Sequence, residues 1–315
     1  MRVLVTGANG FLGHHVCAAL KKKGHIVIPL KRRGEKPEPF DLTRGDSAHR
    51  AILDSKANAV IHLAAKCGGI GANMINSATY WHDNILMGAH VLNACAERRV
   101  RKLVMVGSTC AYPKFPPSVP FQECDMWAGY PEETNAPYGI AKRALLTGAE
   151  AYRKQYGLNV VTVIPTNLYG PHDHFELETS HVIPALIRKM HEAKINFEKA
   201  VKIWGTGKAT RDFLYAGDAA EAIVTALDKY NGVGPLNLGS GEEVSISKLV
   251  DKVANVVDYR GFIDWEAGRP DGQPRRILST NEAKKHLGWR SQTGLLAGLK
   301  KTYEWFLKNT MAEVA

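Results

Sequence analysis

A chain of 315 residues, 45% hydrophobic and 23% charged, holds enough apolar material for one large α/β domain or two smaller ones, which excludes a disordered tail or a disulfide-stapled miniprotein. Its 41 Lys and Arg against 31 Asp and Glu leave a formal charge of +10, which favours anionic partners. The basic residues fall in short clusters such as Lys21–Lys23 and Lys31–Arg33, expected inside regular structure, so phosphorylated small molecules are expected and nucleic acid is not.

Val3-Leu4-Val5 reads as a first strand, ended by Thr6-Gly7-Ala8-Asn9-Gly10. From Phe11 the period changes to a helix with Leu12, Val16, Ala19 and Leu20 on one face and Gly24 as its stop. Ile26–Ile28 predicts a second strand; Ala59–Leu63, Lys102–Val106 and Val160–Ile164 predict three more, each continuously apolar. Such runs belong to a parallel sheet covered on both faces. Helices are expected at 77–98 and 138–156, giving a doubly wound parallel-sheet α/β (Rossmann) fold. After Gly170 short helices (181–194, 217–229, 246–257, 294–308) alternate with brief strands at Val201–Trp204 and Gly261–Trp265. The reading is a dinucleotide-binding domain over 1–170, with segments near 213–240 returning to it, and a smaller α/β substrate domain over 171–315. Pro113–Pro120 reads as a surface loop near the strand ends.

Five widely spaced cysteines form no Cys-x-x-Cys pair, so a zinc knuckle is not offered and a reducing compartment is expected. No apolar run approaches the roughly 18 residues of a membrane helix. The N-terminus runs straight into a strand rather than a signal peptide; a cytoplasmic protein with no membrane partner is expected. His172-x-His174 with Asp173 and His181 lacks a closed ligand set, so no metal site is expected.

Gly7-x-x-Gly10-x-x-Gly13, between a strand and a helix, suits a pyrophosphate held on a helix N-terminus. Lys31-Arg32-Arg33 after the second strand, with no acid before Glu35, favours a 2′-phosphate and hence NADP. Tyr138 and Lys142 share one helix face. The ammonium is expected to lower the phenol from its usual value near 10 toward neutrality, so that the tyrosine exchanges a proton with a carbonyl oxygen. Ser108, just past a strand end, can polarise the same oxygen.

With Thr6–Gly13, His62-Leu63-Ala64-Ala65, Ser108 and Tyr138-x-x-x-Lys142 in this order, the chain resembles the extended short-chain dehydrogenase/reductases. Further motifs narrow the resemblance: Ala64–Ile70, Gly107–Pro113, Pro165–Asp173, Ser180–Leu186, Trp204–Gly207 with Arg211–Leu214, and Pro270-Asp271-Gly272. They resemble the branch of that family that converts GDP-4-keto-6-deoxy-D-mannose to GDP-L-fucose, inverting C3 and C5 and reducing C4. The resemblance implies Ser108, Cys110, Tyr138, Lys142 and His181 as catalytic residues, Cys110 the base and His181 the acid of the inversions. Cys110 would need a cation or dipole to act as thiolate; Lys142 and His181 are the expected helpers. It also implies NADP(H) bound by Gly7, Asn9, Gly10, Phe11, Leu12, Gly13, Asp41, Leu63, Ala64, Ala65, Lys66, Tyr138, Lys142, Pro165, Asn167, Leu168 and His181. Asn9 stands where an Arg is common, so Lys31 and Arg33 must carry the 2′-phosphate. Lys189, Trp204, Arg211 and Asp271 are implied to hold the GDP-sugar, and a homodimer packed through helices of the cofactor domain is implied. Two alternatives stay open: an epimerase/reductase or 4-keto reductase for another GDP-linked sugar such as a heptose, and a non-catalytic NADP-binding sensor. The presence of Tyr138 and Lys142 speaks against the sensor.

Overall fold

The computed structural model describes residues 1–30, 40–269 and 271–310; Lys31 and Arg33, with the rest of their basic cluster, and Pro270 lie outside them. The chain opens with β1 (Arg2–Thr6), α1 (Phe11–Lys22) and β2 (Ile26–Pro29). It continues through α2 (Gly45–Ser55), β3 (Ala59–His62), α3 (Ile70–Ile75), α4 (Ser77–Glu97), β4 (Lys102–Val106), α5 (Ala136–Tyr156) and β5 (Val160–Pro165). Then follow β6 (Asn167–Tyr169), α6 (Val182–Ile195), β7 (Ala200–Trp204), β8 (Thr210–Tyr215), α7 (Ala216–Lys229) and β9 (Leu236–Leu238). The last elements are β10 (Glu243–Ser245), α8 (Ile246–Val257), β11 (Phe262–Glu266), β12 (Arg275–Arg276), α9 (Asn281–Leu287) and α10 (Leu295–Thr310).

Six strands form one parallel sheet in the order β2-β1-β3-β4-β5-β9. The continuous apolar strands follow from burial on both faces. Val3, Val5, Ala59, Ile61, Val104 and Val161 meet α1 and α7 in one core. Their neighbours Leu4, Val60, Leu103, Met105 and Val160 point the other way, into a core with α2, α4 and α5. Alternate side chains face opposite sides of a strand, so a sheet covered twice needs apolar residues at every position. β2, at the sheet edge, is only partly buried. The order turns back at β1 and β3: the chain leaves β1 toward β2 on one side and returns to β3 on the other. A crevice therefore opens beyond the carboxyl ends of these two strands.

β9 returns to this sheet as its last strand, and α7 packs on it with Ala283, Leu287 and Trp289 from the C-terminal part. The other C-terminal elements form a separate core of α6, α8 and α10 with β7 and β8. Here β8 is the hub: β6 and β12 pair with it parallel and β10 antiparallel, while β7 pairs only with β11. The strands β6, β9 and β10, three residues each, and β12, two, are too short to show a period in the sequence. No described helix is long and apolar enough to cross a membrane.

Candidate functional site

The glycine loop sits at the crevice. Gly7 has φ +66°, and a Cβ there would lie 2.9 Å from the Ala64 backbone nitrogen. A Cβ on Gly13 would run into the Gly7 carbonyl oxygen. Both positions therefore exclude a side chain, and the loop stays flat against the N-terminus of α1, whose Gly10 cap supplies no side chain of its own. A backbone cradle that a methyl group would fill, at the positive end of a 12-residue helix, fits a pyrophosphate. Across the crevice Thr6 ties β1 to β3. Its hydroxyl accepts from the Leu63 and Ala64 amides at 3.2 and 3.1 Å, so its own proton goes to His62 Nδ1 at 2.8 Å. Burial, and then the Lys142 charge, push the His62 imidazole down to about 3; it is neutral at working pH.

The loop after β3 is shaped by Asn84, which bonds the Lys66 amide and carbonyl at 3.0 and 2.8 Å. The Lys66 ammonium is ion-paired with Asp83. Asp41 accepts from the Thr43 amide and hydroxyl and so shapes the turn into α2.

β4 ends at Val106, and Ser108 Oγ accepts from the Cys110 amide at 3.2 Å. α5 lies directly on this turn, because Gly139 leaves no room for a side chain against the Cys110 carbonyl oxygen. That contact sets Tyr138 beside Ser108 and within charge range of Cys110 and Cys67. Lys142 Nζ donates to the Val106 carbonyl at 3.1 Å and stands 5.9 Å from the Tyr138 ring centre.

Two electrostatic expectations are corrected here. The phenol is not drawn toward neutrality. Tyr138 is buried, and burial, followed by the nearby Cys67 and Cys110, pushes it well above its ordinary value. Lys142 pays the same desolvation and is pushed down to about 8, so at its distance it does not overturn the phenol's preference for the proton. Nor is Lys142 or His181 the cation in contact with Cys110: Arg276 Nη1 lies 3.7 Å from its sulfur.

Pro165 ends β5, and Asn167 and Leu168 open β6; the Thr166 hydroxyl and Asn167 Nδ2 donate to the Asp212 carbonyl at 3.1 and 2.8 Å. His181 caps α6. The residues before it touch the loop after β3, where the Gly69 amide donates to Thr179 O at 3.2 Å. Desolvation, and then His174, hold the His181 imidazole below the usual histidine value.

The four residues implied for the sugar nucleotide gather on β7, β8 and their surroundings. Asp271 accepts from the Thr206 amide and hydroxyl at 2.8 and 2.7 Å, just past Trp204. Arg211, pushed down to about 9 by burial and then by Arg276, donates to the Asp271 and Gln273 carbonyls. Trp204 is 49% exposed under the Arg269 guanidinium, 4.8 Å from its ring centre. Lys189 donates to Lys202 O at 3.1 Å, on the same strand as Trp204. Sequence reasoning missed Arg276, Gln273, Arg269 and the proximity of Cys67 to the phenol. Arg275-Arg276 reads in sequence as an ordinary surface pair, and nothing local distinguishes it.

A glycine cradle at the sheet's switch point, with a Ser, Tyr and Lys set beyond β4, defines a dinucleotide-dependent oxidoreductase of the short-chain type. The chain belongs to the NAD dependent epimerase/dehydratase family, whose model matches residues 3–239. It is similar to the GDP-L-fucose synthase of Sinorhizobium fredii, with 42% identity over 308 residues, 98% of this chain and 96% of that one. Among solved structures it is similar to a GDP-L-fucose synthetase from Naegleria fowleri bound to NADP (28% identity, TM-score 0.88, covering 98% of this chain and 94% of that one). It is also similar to a GDP-6-OMe-4-keto-L-xylo-heptose reductase from C. jejuni (26% identity, TM-score 0.89, 97% of each chain).

Proposed function

We infer that this chain is an NADPH-dependent enzyme that epimerises C3 and C5 and reduces C4 of GDP-4-keto-6-deoxy-D-mannose to give GDP-L-fucose. The observation that carries the reading is a thiol within charge range of the phenol: Gly139, next to Tyr138, packs on the Cys110 backbone in the turn after β4. A simple ketone reductase needs the phenol alone. The Gly7–Gly13 cradle would hold NADPH, which when bound would supply the hydride for C4.

In this reading Cys110, as thiolate, takes the proton from a carbon beside the ketone. The C–H electron pair moves onto the ketone oxygen, where the hydroxyls of Tyr138 and Ser108 hold the enolate. His181 gives a proton to the opposite face, and the carbon is inverted. After both inversions Tyr138, protonated at rest, delivers its proton to O4 as C4 is reduced. Arg211, Trp204, Asp271 and Lys189 hold the GDP part. We propose the same division of the chain, 1–170 with the returning segments near 213–240 for the cofactor and 171–315 for the substrate. We also propose a homodimer joined through α4 and α5, supported by Trp81 left 46% exposed on α4, and a cytoplasmic protein, supported by five free cysteines.

The test is incubation of the purified protein with NADPH and GDP-4-keto-6-deoxy-D-mannose in D2O, with the product read by NMR. GDP-L-fucose carrying deuterium at C3 and C5 is expected. Cys110→Ser should still bind NADPH while losing the exchange. A product reduced at C4 without inversion would sink the epimerase half and favour a plain 4-keto reductase.

A further inference from the structure

We propose that Arg276 is a positioning residue for the epimerising base, its guanidinium holding Cys110 as the reactive thiolate and aiming the sulfur into the cleft. The proposal rests on the reading of Cys110 as that base. Arg276 comes from β12, far along the chain, and is buried, 8% exposed. Its Nη1 is 3.7 Å from Cys110 Sγ. Among the described residues no carboxylate lies within ion-pair distance of it.

The cation is held rather than free. Its Nε donates to Gln273 Oε1 at 3.0 Å. Gln273, 3% exposed, is itself anchored through Nε2 to the Pro113 and Lys114 carbonyls at 3.1 and 2.7 Å. β12 pairs with β8 so that Arg276 stands opposite Arg211. Two buried guanidinium groups thus lie side by side, Arg276 raising the cost of the Arg211 charge, and the Cys110 sulfur is in contact with Arg276. The charged and titratable groups facing the sulfur are Arg276 from β12, Arg211 from β8 and Tyr138 from α5. The two cations favour the thiolate and the phenol, protonated, does not oppose it. The proton taken from the sugar carbon then resides on Sγ, beside a cation that favours its release.

The experiment is alkylation of the folded protein by iodoacetamide between pH 6 and 9, followed by mass spectrometry on the Cys110 peptide. It needs no sugar. Arg276→Met and Arg276→Gln are expected to slow alkylation at pH 7 by about tenfold and to approach the parent rate at high pH. Arg276→Lys, which keeps the charge, should recover most of the loss. NADPH binding reports folding for each variant. An unchanged rate at pH 7 in both neutral variants overturns the proposal, as does a tenfold loss that Lys does not rescue. If either neutral variant fails to bind NADPH, the other and the Lys variant still decide. A slowed alkylation with unchanged deuterium exchange at C3 and C5 would overturn Cys110 as the base while leaving its contact with Arg276 standing.

Discussion

Tyr138 and Lys142 divide the work of the reduction differently from a phenolate paired with an ammonium. The buried phenol is held protonated, above its ordinary value, whereas the buried lysine is pushed down to about 8. A depressed lysine is charged below its folded value and loses its proton above it. The alkaline limb of the reduction profile therefore belongs to Lys142, and single-turnover oxidation of NADPH should fall above about pH 8. Lys142→Arg should move that limb to higher pH, because a guanidinium holds its proton more tightly than an ammonium in the same surroundings. Tyr138→Phe should lower the single-turnover rate by about 10²- to 10⁴-fold without shifting the limb. A limb that persists near pH 8 in Lys142→Arg would assign it elsewhere. Ser108, Tyr138 and Lys142 were legible in the sequence because their relation is local: a strand end, then a four-residue helical spacing. Arg276 was not, because only the parallel pairing of β12 with β8 brings it to Cys110, 166 positions away.

At the scale of elements, the site depends on how closely α5 can approach the turn after β4. Gly139, in the first turn of that helix, and Gly157, just past its end, fail differently on substitution. A Cβ on Gly139 would strike the Cys110 carbonyl, which is backbone and cannot step aside. Gly157, at φ +66°, ends α5 in open space. Gly157→Ala should cost about 1 kcal/mol in urea unfolding, the ordinary penalty of a left-handed residue with a side chain. Gly139→Ala should cost about 1–3 kcal/mol and also push Tyr138 away from Ser108, so its activity loss should exceed its stability loss. Equal loss of activity in the two variants would mean that the α5 contact does not set the site. The long elements, α4, α5 and the core strands, were readable from their period because each is either buried on one stripe or covered on both faces. β6, β8 and β12 owe their pairing to partners distant in sequence, and no local rule specifies them.

Across the whole molecule, three buried groups give acid and alkali opposite effects on stability. His62, tying β1 to β3, titrates at about 3 when folded and near 6.5 when unfolded. Between those values the unfolded chain binds a proton that the folded protein does not, so stability is lost as pH falls from 6.5 toward 3. Asp173, buried after β6 with Oδ2 unpartnered, is pushed up to about 7, and Asp212 to about 6. Their sign is reversed. The unfolded carboxyl gives up its proton from about 3.8 while the folded one keeps it, so stability is lost as pH rises through that interval. Each such group contributes a slope of about 1.4 kcal/mol per pH unit inside its window. Asp173→Asn keeps an oxygen to accept the His174 amide bond, which Asp173 Oδ1 makes at 2.8 Å, and removes the ionisation. The variant should melt close to the parent at pH 4 and above it at pH 8. His62→Asn should show its advantage only below about pH 6. Thermal unfolding of the three proteins at pH 4, 6 and 8 checks both signs at once. An Asp173→Asn protein that gains nothing at pH 8 would mean that water or a neighbouring cation reaches this carboxylate after all, and that the segment between the two cores is looser than its burial indicates.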